Sequence, residues 1–374
     1  MITWSVSSGT VPVGLSLDAS TGRLSGTPTV AGTFTFDVAA ADTSGSRGTK
    51  TYSVSIVQPG VALTILPDSL PAGVVGQAYG AQLTVASQGS GTILPPDHIL
   101  NTPIIRAPAL SNSAAMIASI GAATVRLDFS LPVNRGVFPM RPMIFDNASD
   151  SDPGPYPVPA DPQIEADGDQ RLIVVATDTN RLYEVFNYRP QPAGGLVGAS
   201  WDLMSYGLRP LGNVSADTAG LPIFPLLLRF EELASGVIKH ALRCMVSVSR
   251  NFGSYADSSR TFPADWPARH GGGPSADPNL PAMGTRLRLK ASFDDAQFRA
   301  ETRIVTTCMK QYGLIMADSG AALFVQGDTD PGWTTALVDA MATDCRGIHT
   351  GDFEVVDGVT PFIIDPDSAK AKQL

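Results

Sequence analysis

Residues 34–42, FTFDVAAAD, alternate apolar and polar side chains with a period of two, the pattern of a strand with one buried and one wet face. Read outward, the alternation recurs in WSV (4–6), LSL (15–17) and YSVSIV (52–57), and turn signals at SSG, ASTG, TPTVAG and TSGS separate the runs. Short strands at this spacing predict a β-sandwich over about residues 3–57. Composition points the same way. With 36 Gly and 30 Pro in 374 residues, above the average of ~7% and ~5%, and only 16% charged residues, the chain favours strands joined by many turns.

The segment GLSLDASTGRLSGTPTVAGTFTFDVAAADTSG (14–45) resembles the immunoglobulin-like repeats of bacterial surface proteins, cadherin-like in fold, through Leu15, Leu17, Gly22, Gly26, Pro28, Gly32 and Phe36. The resemblance implies a spacer or adhesion module more than a chemistry. Such a repeat normally opens with a segment like LPAGVVGQAYGAQLTVASQGSG, which here follows the module, at residues 70–91. Either Leu63 to Ala86 fold back as the missing strands of a circularly permuted sandwich, closing an exposed edge, or the strands pair between chains, giving a homo-oligomer by strand exchange. The short connection VQPGVA favours the intramolecular version.

The chain is longer than the ~250 to 300 residues that one core serves, so more than one domain is expected. A polar Gly/Pro stretch, QGSGTILPP (88–96), marks the boundary. The expected division is an immunoglobulin-like module over 1–90, a linker at 91–97, a β-rich functional domain over 98–364 and a polar tail at 365–374. The fold class is mainly β: an immunoglobulin-like sandwich followed by a larger β-sandwich or jelly-roll-like domain with a small α/β segment. In the larger part, strand-like runs lie at 124–129, 171–177, 182–186, 237–248, 286–293, 314–316 and 322–325. Helical periodicity marks 296–312, with Phe298, Ile304, Val305, Cys308 and Met309 on one face, and 331–342, with Pro at its start. The segments SDPGPYPVPADPQIE, LYEVFNY, HALRCMV, WPARH, MGTRLRLKASF and DFEVV together resemble secreted bacterial proteins of unassigned activity, which implies a setting and no mechanism.

A net charge of −9 without a basic run argues against a nucleic-acid partner. Nothing approaches 18 consecutive apolar residues, and MITWSVSSGT has neither a basic nor an apolar leader region, so neither a membrane span nor a signal peptide is expected. The expected location is extracellular, on a cell surface or a virion. Of the three cysteines, Cys308 and Cys345 could bridge, leaving Cys244 alone; buried free thiols are the simpler reading.

Four constellations could carry chemistry. In FDNASDSDPGPYPVPADPQIE (145–165), Asp146, Asp150, Asp152, Asp161 and Glu165 form an oxygen-rich loop suited to Ca²⁺, with Asp150 and Asp152 the metal candidates; solvated turn-forming aspartates are the simpler reading. No other cofactor is implied. Glu165 and Glu184, with Asp202 nearby in sequence, could supply the acid and base of a glycoside hydrolase. Strand alternation sets Glu184 on the face of Leu182 and Phe186, where a charge needs a partner; Arg243 or His240 could provide it, as a structural ion pair or a site. His240, Arg243, Arg269 and His270 form the third set, although Arg243 and His240 point to opposite faces of a regular strand, and His98, His240, His270 and His349 carry no metal-binding spacing. The fourth is aromatic: Tyr156, Trp201, Tyr206 and Trp266 could offer faces to sugar rings, or anchor loops and core.

Trp266, Arg269 and His270 crowd into the long Pro/Gly-rich segment 262–290, whose length inside a domain suggests function. The HGGG at 270–273 lacks an accompanying G-x-S-x-G elbow, and phosphate-binding glycine motifs are missing, which disfavours α/β-hydrolase and nucleotide chemistry. The resulting expectation is recognition of an extracellular polysaccharide or cell-surface glycan. Hydrolysis would fall to Glu165 and Glu184, with His240 and Arg269 steadying charge, and binding to Tyr156, Trp201, Arg243, Trp266 and His270. The competing expectation is a non-catalytic structural or adhesive protein of a cell surface or phage fibre.

Overall fold

A computed structural model describes residues 2–26, 32–56, 63–66, 84–87, 92–166, 168–247, 264–273 and 275–372. The chain divides into two units, Met1–Gly91 and Thr92–Leu374. Both are mainly β, built from several sheets with few helices.

In the first unit, β1 (Ile2–Gly9), β4 (Gly32–Asp42) and β5 (Arg47–Ile56) form an antiparallel sheet in the order β1-β4-β5, and β2 (Leu15–Leu17) and β3 (Leu24–Gly26) form a hairpin. The register sets Val6 beside Val38 and Phe36 beside Tyr52, so the period of two sorts apolar side chains onto one face and Thr35, Asp37 and Thr51 onto the other. Phe36 is buried on that face, with its ring centroid 6.3 Å from that of Tyr52. The β2–β3 turn is fixed by Asp18, whose carboxylate accepts from Ser20 N (2.9 Å) and Thr21 N (2.8 Å). Gly22 in this turn has φ +72°, and a Cβ there would lie 2.7 Å from the Trp4 ring, so only glycine fits. The strands β6 (Leu63–Leu66) and β7 (Thr84–Ser87) pair with each other, and among the described residues they add no strand to the three-stranded sheet. The rest of the displaced opening segment, at 67–83, and the connection at 57–62 lie outside the described residues.

The larger unit contains α1 (Ser113–Ile120), β8 (Arg126–Leu131), β9 (Val133–Gly136), β10 (Leu172–Ala176), β11 (Arg181–Phe186), β12 (Val197–Asp202), α2 (Phe230–Ser235), β13 (Leu242–Val246), β14 (Arg286–Leu289), α3 (Ala300–Gln311), β15 (Leu314–Ser319), β16 (Phe324–Asp328), α4 (Thr335–Cys345) and β17 (Phe353–Val356). Its two larger sheets have the orders β12-β11-β10-β9 and β17-β14-β15-β13-β16-β8, beside two small sheets of two and three short strands among the described residues. Both larger sheets are mixed, since β10 runs parallel to β9, β13 to β15 and β16 to β8. Strand β10, LIVVA, is apolar throughout because it is buried on both sides: Ile173 joins the main core, while Leu172 and Val174 join a smaller cluster with Tyr156, Val158, Val185 and Tyr188.

Several expectations shift by a few residues. Strand β13 starts at Leu242, not near Val237, so His240 precedes it and the strand-face argument does not apply to that residue; Val248 lies outside the described residues. Helix α3 buries Val305, Cys308 and Met309 as its periodicity requires, but begins at Ala300 because Asp294 and Asp295 hold 294–298 in a turn, accepting from Ala296 N and Phe298 N. Helix α4 begins beyond Pro331, where the Thr334 side chain caps Leu337 N (3.3 Å). Thr334→Ala is expected to cost about 1 kcal/mol and to lower the melting midpoint of this unit by about 2–4 °C, read by circular dichroism.

The cysteines follow the simpler reading, and two further corrections concern the core. No disulfide joins Cys308 and Cys345; these two and Cys244 are free and buried, each within apolar packing that satisfies a thiol without oxidation. The 365–374 segment is no loose tail as far as Lys372, because Ala369 O accepts from Ile99 N (2.8 Å) and Ala371 N donates to Asp97 O (2.9 Å), with both alanines buried. Over 264–271 and 281–289 the long segment is core rather than excursion, while 276–279 form an exposed loop: Trp266 is fully buried, Asp265 N donates to Met283 O (2.7 Å) and Gly284 N to Met316 O (2.8 Å). Residues 262, 263 and 274 lie outside the described residues.

Candidate functional site

The parallel strands β13 and β15 end together, and their register carries a β-bulge: Cys244 pairs with Met316 and Met245 with Asp318, so Ala317 is the extra residue. A bulge re-aims the residues beside it. The Ala317 carbonyl accepts from Ala219 N (2.9 Å), drawing the Asp217–Gly220 turn alongside Asp318. This juxtaposition creates a charged cluster at the strand ends.

Asp318 lies at its centre. Its Oδ1 accepts from the Thr218 hydroxyl (2.5 Å) and Ser319 N (2.8 Å), and its Oδ2 from Arg171 Nη2 (3.0 Å), with Arg243 Nη2 at 3.9 Å. Burial works against its charge, but Arg243, a hydrogen bond shared with Asp217, the Thr218 hydroxyl and Arg171 outweigh burial and hold its pKa below the ordinary carboxylate value. Its side chain is 14% exposed, so an ionised, fully oriented carboxylate meets solvent.

Two buried arginines support it. Arg243, with no exposed side-chain surface, grips Asp217 through Nε (3.1 Å) and Nη2 (2.6 Å). Arg171 donates to Ala216 O (3.1 Å) and Glu165 (3.3 Å), and its Nη2 lies 2.7 Å from Asp169. Both guanidiniums thus orient carboxylates, and Arg171 also braces a backbone carbonyl through Nε. Asp169 is 44% exposed and stands beside Asp318 at the surface of the cluster. His270, half-buried, directs Nδ1 to Thr218 O (3.1 Å), and Arg269 N donates to Ala219 O (2.8 Å), so the HGGG segment braces the same turn.

Glu184 projects from β11 into the main core, on the face of Leu182, as alternation requires. It has no exposed surface, and its oxygens accept from Ile223 N (2.9 Å) and Phe224 N (2.9 Å). Burial raises its pKa to about 8, against the pull of those two N–H groups; Asp217 raises it further and Arg243 lowers it. Glu165 is likewise raised by burial, which Arg171 opposes. Both glutamates are therefore anchors beneath the cluster, and the carboxylates that meet solvent are Asp318 and Asp169.

The structure gathers Glu165, Arg243, Arg269 and His270 around the Asp217–Ala219 turn, and separates the other candidates from it. His240 sits beyond the opposite end of β13, its Nε2 2.9 Å from Glu232 and its Nδ1 2.7 Å from Ala241 O, both buried. Trp266, Tyr156 and Trp201 are buried packing residues and present no sugar platform; the Tyr156 hydroxyl donates to Asp152 O (3.1 Å) and Trp201 lies under Arg209. Asp152 accepts from Arg209 Nη1 (2.9 Å) and Ser200 N (2.7 Å), while Asp150 accepts from Asn147 Nδ2 (2.8 Å) and its carbonyl from Arg209. The cation between these two aspartates is a guanidinium. Among the described residues, no group of three His, Cys, Asp or Glu is placed to hold a metal ion.

Asp318 and Arg171 were not singled out in the sequence. The available signal was the Asp-Ser-Gly that closes the apolar run LIMA, a polar turn at the end of a buried strand. At the same end of the sheet, where β8 and β16 begin, Arg126, Thr124, Ser247, Ala321, Ala322 and His349 line a cleft of about 880 Å³.

In comparison with known proteins, no curated protein and no solved structure matches the chain. The likeness of the larger unit to secreted proteins thus gains no support. No helix among the described residues is long and apolar enough to cross a membrane. Residues 1–57 match the family model described as "Putative Ig domain", which makes the N-terminal module immunoglobulin-like.

Proposed function

We propose that this protein recognises an extracellular polysaccharide, with the larger unit as the reader and the immunoglobulin-like module as its spacer. The observation that carries the reading is Asp318: a carboxylate kept ionised by Arg171, Arg243 and Thr218 and open to solvent is a strong, pre-oriented acceptor for ligand hydroxyls. Asp169 offers a second acceptor beside it, and a cleft of about 880 Å³ at the same end of the sheet, lined by neither aspartate, has room for saccharide units. Recognition is favoured over hydrolysis because Glu184 has no exposed surface and its oxygens are engaged by backbone N–H groups, and Glu165 is spent on Arg171. An immunoglobulin-like module suits a cell-surface or virion setting.

Affinity electrophoresis in gels containing bacterial and plant polysaccharides tests this. Retention on at least one polysaccharide is expected, and Asp318→Asn, verified as folded by near-UV circular dichroism, should weaken it about tenfold or more. Absence of retention across the panel, or equal retention by the folded variant, removes the reading.

A further inference from the structure

We propose that the opposite end of the six-stranded sheet holds a separate anion-binding cleft, in which Arg106 and Lys239 receive one oxyanion of a ligand, a carboxylate or a phosphate. The cleft occupies about 500 Å³ where β13 and β15 begin, and Asn101, Thr102, Ile105, Arg106, Lys239 and Tyr312 line it. It shares no lining residue with the cleft where β8 and β16 begin.

The backbone that bears these cations is held in place. Arg288 Nη1 donates to the carbonyls of Ile104 (2.6 Å), Ile105 (2.9 Å) and Ala107 (2.8 Å), and Glu354 grips the same guanidinium at 2.9 Å, so the turn bearing Arg106 is pinned from below. Lys239 lies between Ile238 and His240, which are both buried and fix its backbone. The floor is equally built: Asn101 Nδ2 donates to Leu94 O and Pro95 O (2.9 Å each), and the Thr102 hydroxyl to His98 O (3.0 Å).

What these elements present is uncompensated positive charge. Arg106 and Lys239 are exposed, and neither forms an ion pair among the described residues, although acidic residues outnumber basic ones by 35 to 26 in the chain. Two like charges facing one concavity repel each other and concentrate counter-ions there. Half-buried Tyr312 adds a phenol, a hydrogen-bond donor at neutral pH. Arginine can bind an oxyanion bidentately while lysine serves as a point charge.

Isothermal titration of the full chain at low salt with inorganic phosphate, oligogalacturonate and a neutral oligosaccharide tests this without using Asp318, so it can fail independently of the polysaccharide reading. Binding of at least one anionic probe is expected, weakened about tenfold by Arg106→Gln or Lys239→Gln and abolished by both. It should also weaken as salt is raised. Competition between the two anions identifies a general oxyanion site, whereas uptake of oligogalacturonate alone identifies a sugar-acid site. If neither anion binds, or if the double variant binds like wild type, the proposal is overturned. Both positions are exposed, so the variants are expected to keep the wild-type melting midpoint, which the same samples check.

Discussion

Arg243→Met is expected to lower the thermal midpoint of the larger unit by roughly 10 °C, corresponding to about 3–5 kcal/mol. The substitution keeps much of the side-chain volume but leaves Asp217, whose side chain has no exposed surface, without its counter-charge. Burial already raises the Asp217 pKa to about 7 against the pull of Arg243, so without the guanidinium the carboxyl is pushed further towards its protonated form, which also disturbs Asp318, 3.9 Å from the same guanidinium. The double variant Arg243→Met/Asp217→Leu should recover most of the loss, because an apolar pair of similar volume carries no desolvation penalty. Differential scanning calorimetry separates the outcomes. A single variant melting within about 2 °C of wild type would falsify the view that this pair is the structural foundation of the cluster.

The second large effect is in pH dependence. Glu184 titrates in the folded chain near 8, against 4.5 for the free side chain. A raised folded-state pKa contributes stability that is fully present below the unfolded value and is lost as pH rises through the folded one. Unfolding free energy is therefore expected to fall between about pH 5 and pH 8, by an amount on the order of 4 kcal/mol from this residue. Glu165 and Asp328, whose pKa values burial also raises, act in the same direction. Glu184→Gln retains one oxygen to accept from Ile223 and Phe224 and removes the charge, so it should reduce the slope and leave the part due to Asp217, which burial raises to about 7. Urea titrations at intervals across this range measure the slope directly. A wild-type profile that rises over the interval, or a variant with the same slope as wild type, would show that Glu184 is ionised in the folded chain throughout.

The two effects bear on the proposed site differently. Losing the Arg243–Asp217 pair removes the support of Asp318, whereas neutralising Glu184 alters only the layer below. Asp318 has a lowered pKa, so its acceptor role persists well below the pH at which Glu184 titrates. Polysaccharide retention is accordingly expected to be less sensitive to Glu184→Gln than to Asp318→Asn.

Much of the fold could be read from local patterns, because they report local physics. Alternation at 34–42 identifies β4, and the likeness around Leu15 to Phe36 identifies an immunoglobulin-like module. Alternation in RLYEVF sets Glu184 on the core face, and helical periodicity identifies the buried stripe Val305, Cys308 and Met309. Aromatic side chains in Pro/Gly-rich contexts were harder: Trp266 in a loop reads equally as a contact surface or an anchor, and full burial in the main core makes it an anchor.

The sequence by itself determined many of the segments that become strands and helices, though not α1, β9 or α2, and that mainly β structure dominates, since periods of 2 and 3.6 are properties of neighbouring residues. Only the tertiary structure decided the parallel pairing of β13 with β15, the bulge at Ala317 and the meeting of Arg171 with Asp318 across 147 positions. Those contacts depend on which strand lies beside which, and strand order leaves no periodic trace along the chain. Charge balance then follows from that order: the same carboxyl group is a buried anchor at Glu184 and a solvent-facing acceptor at Asp318 because different partners reach it.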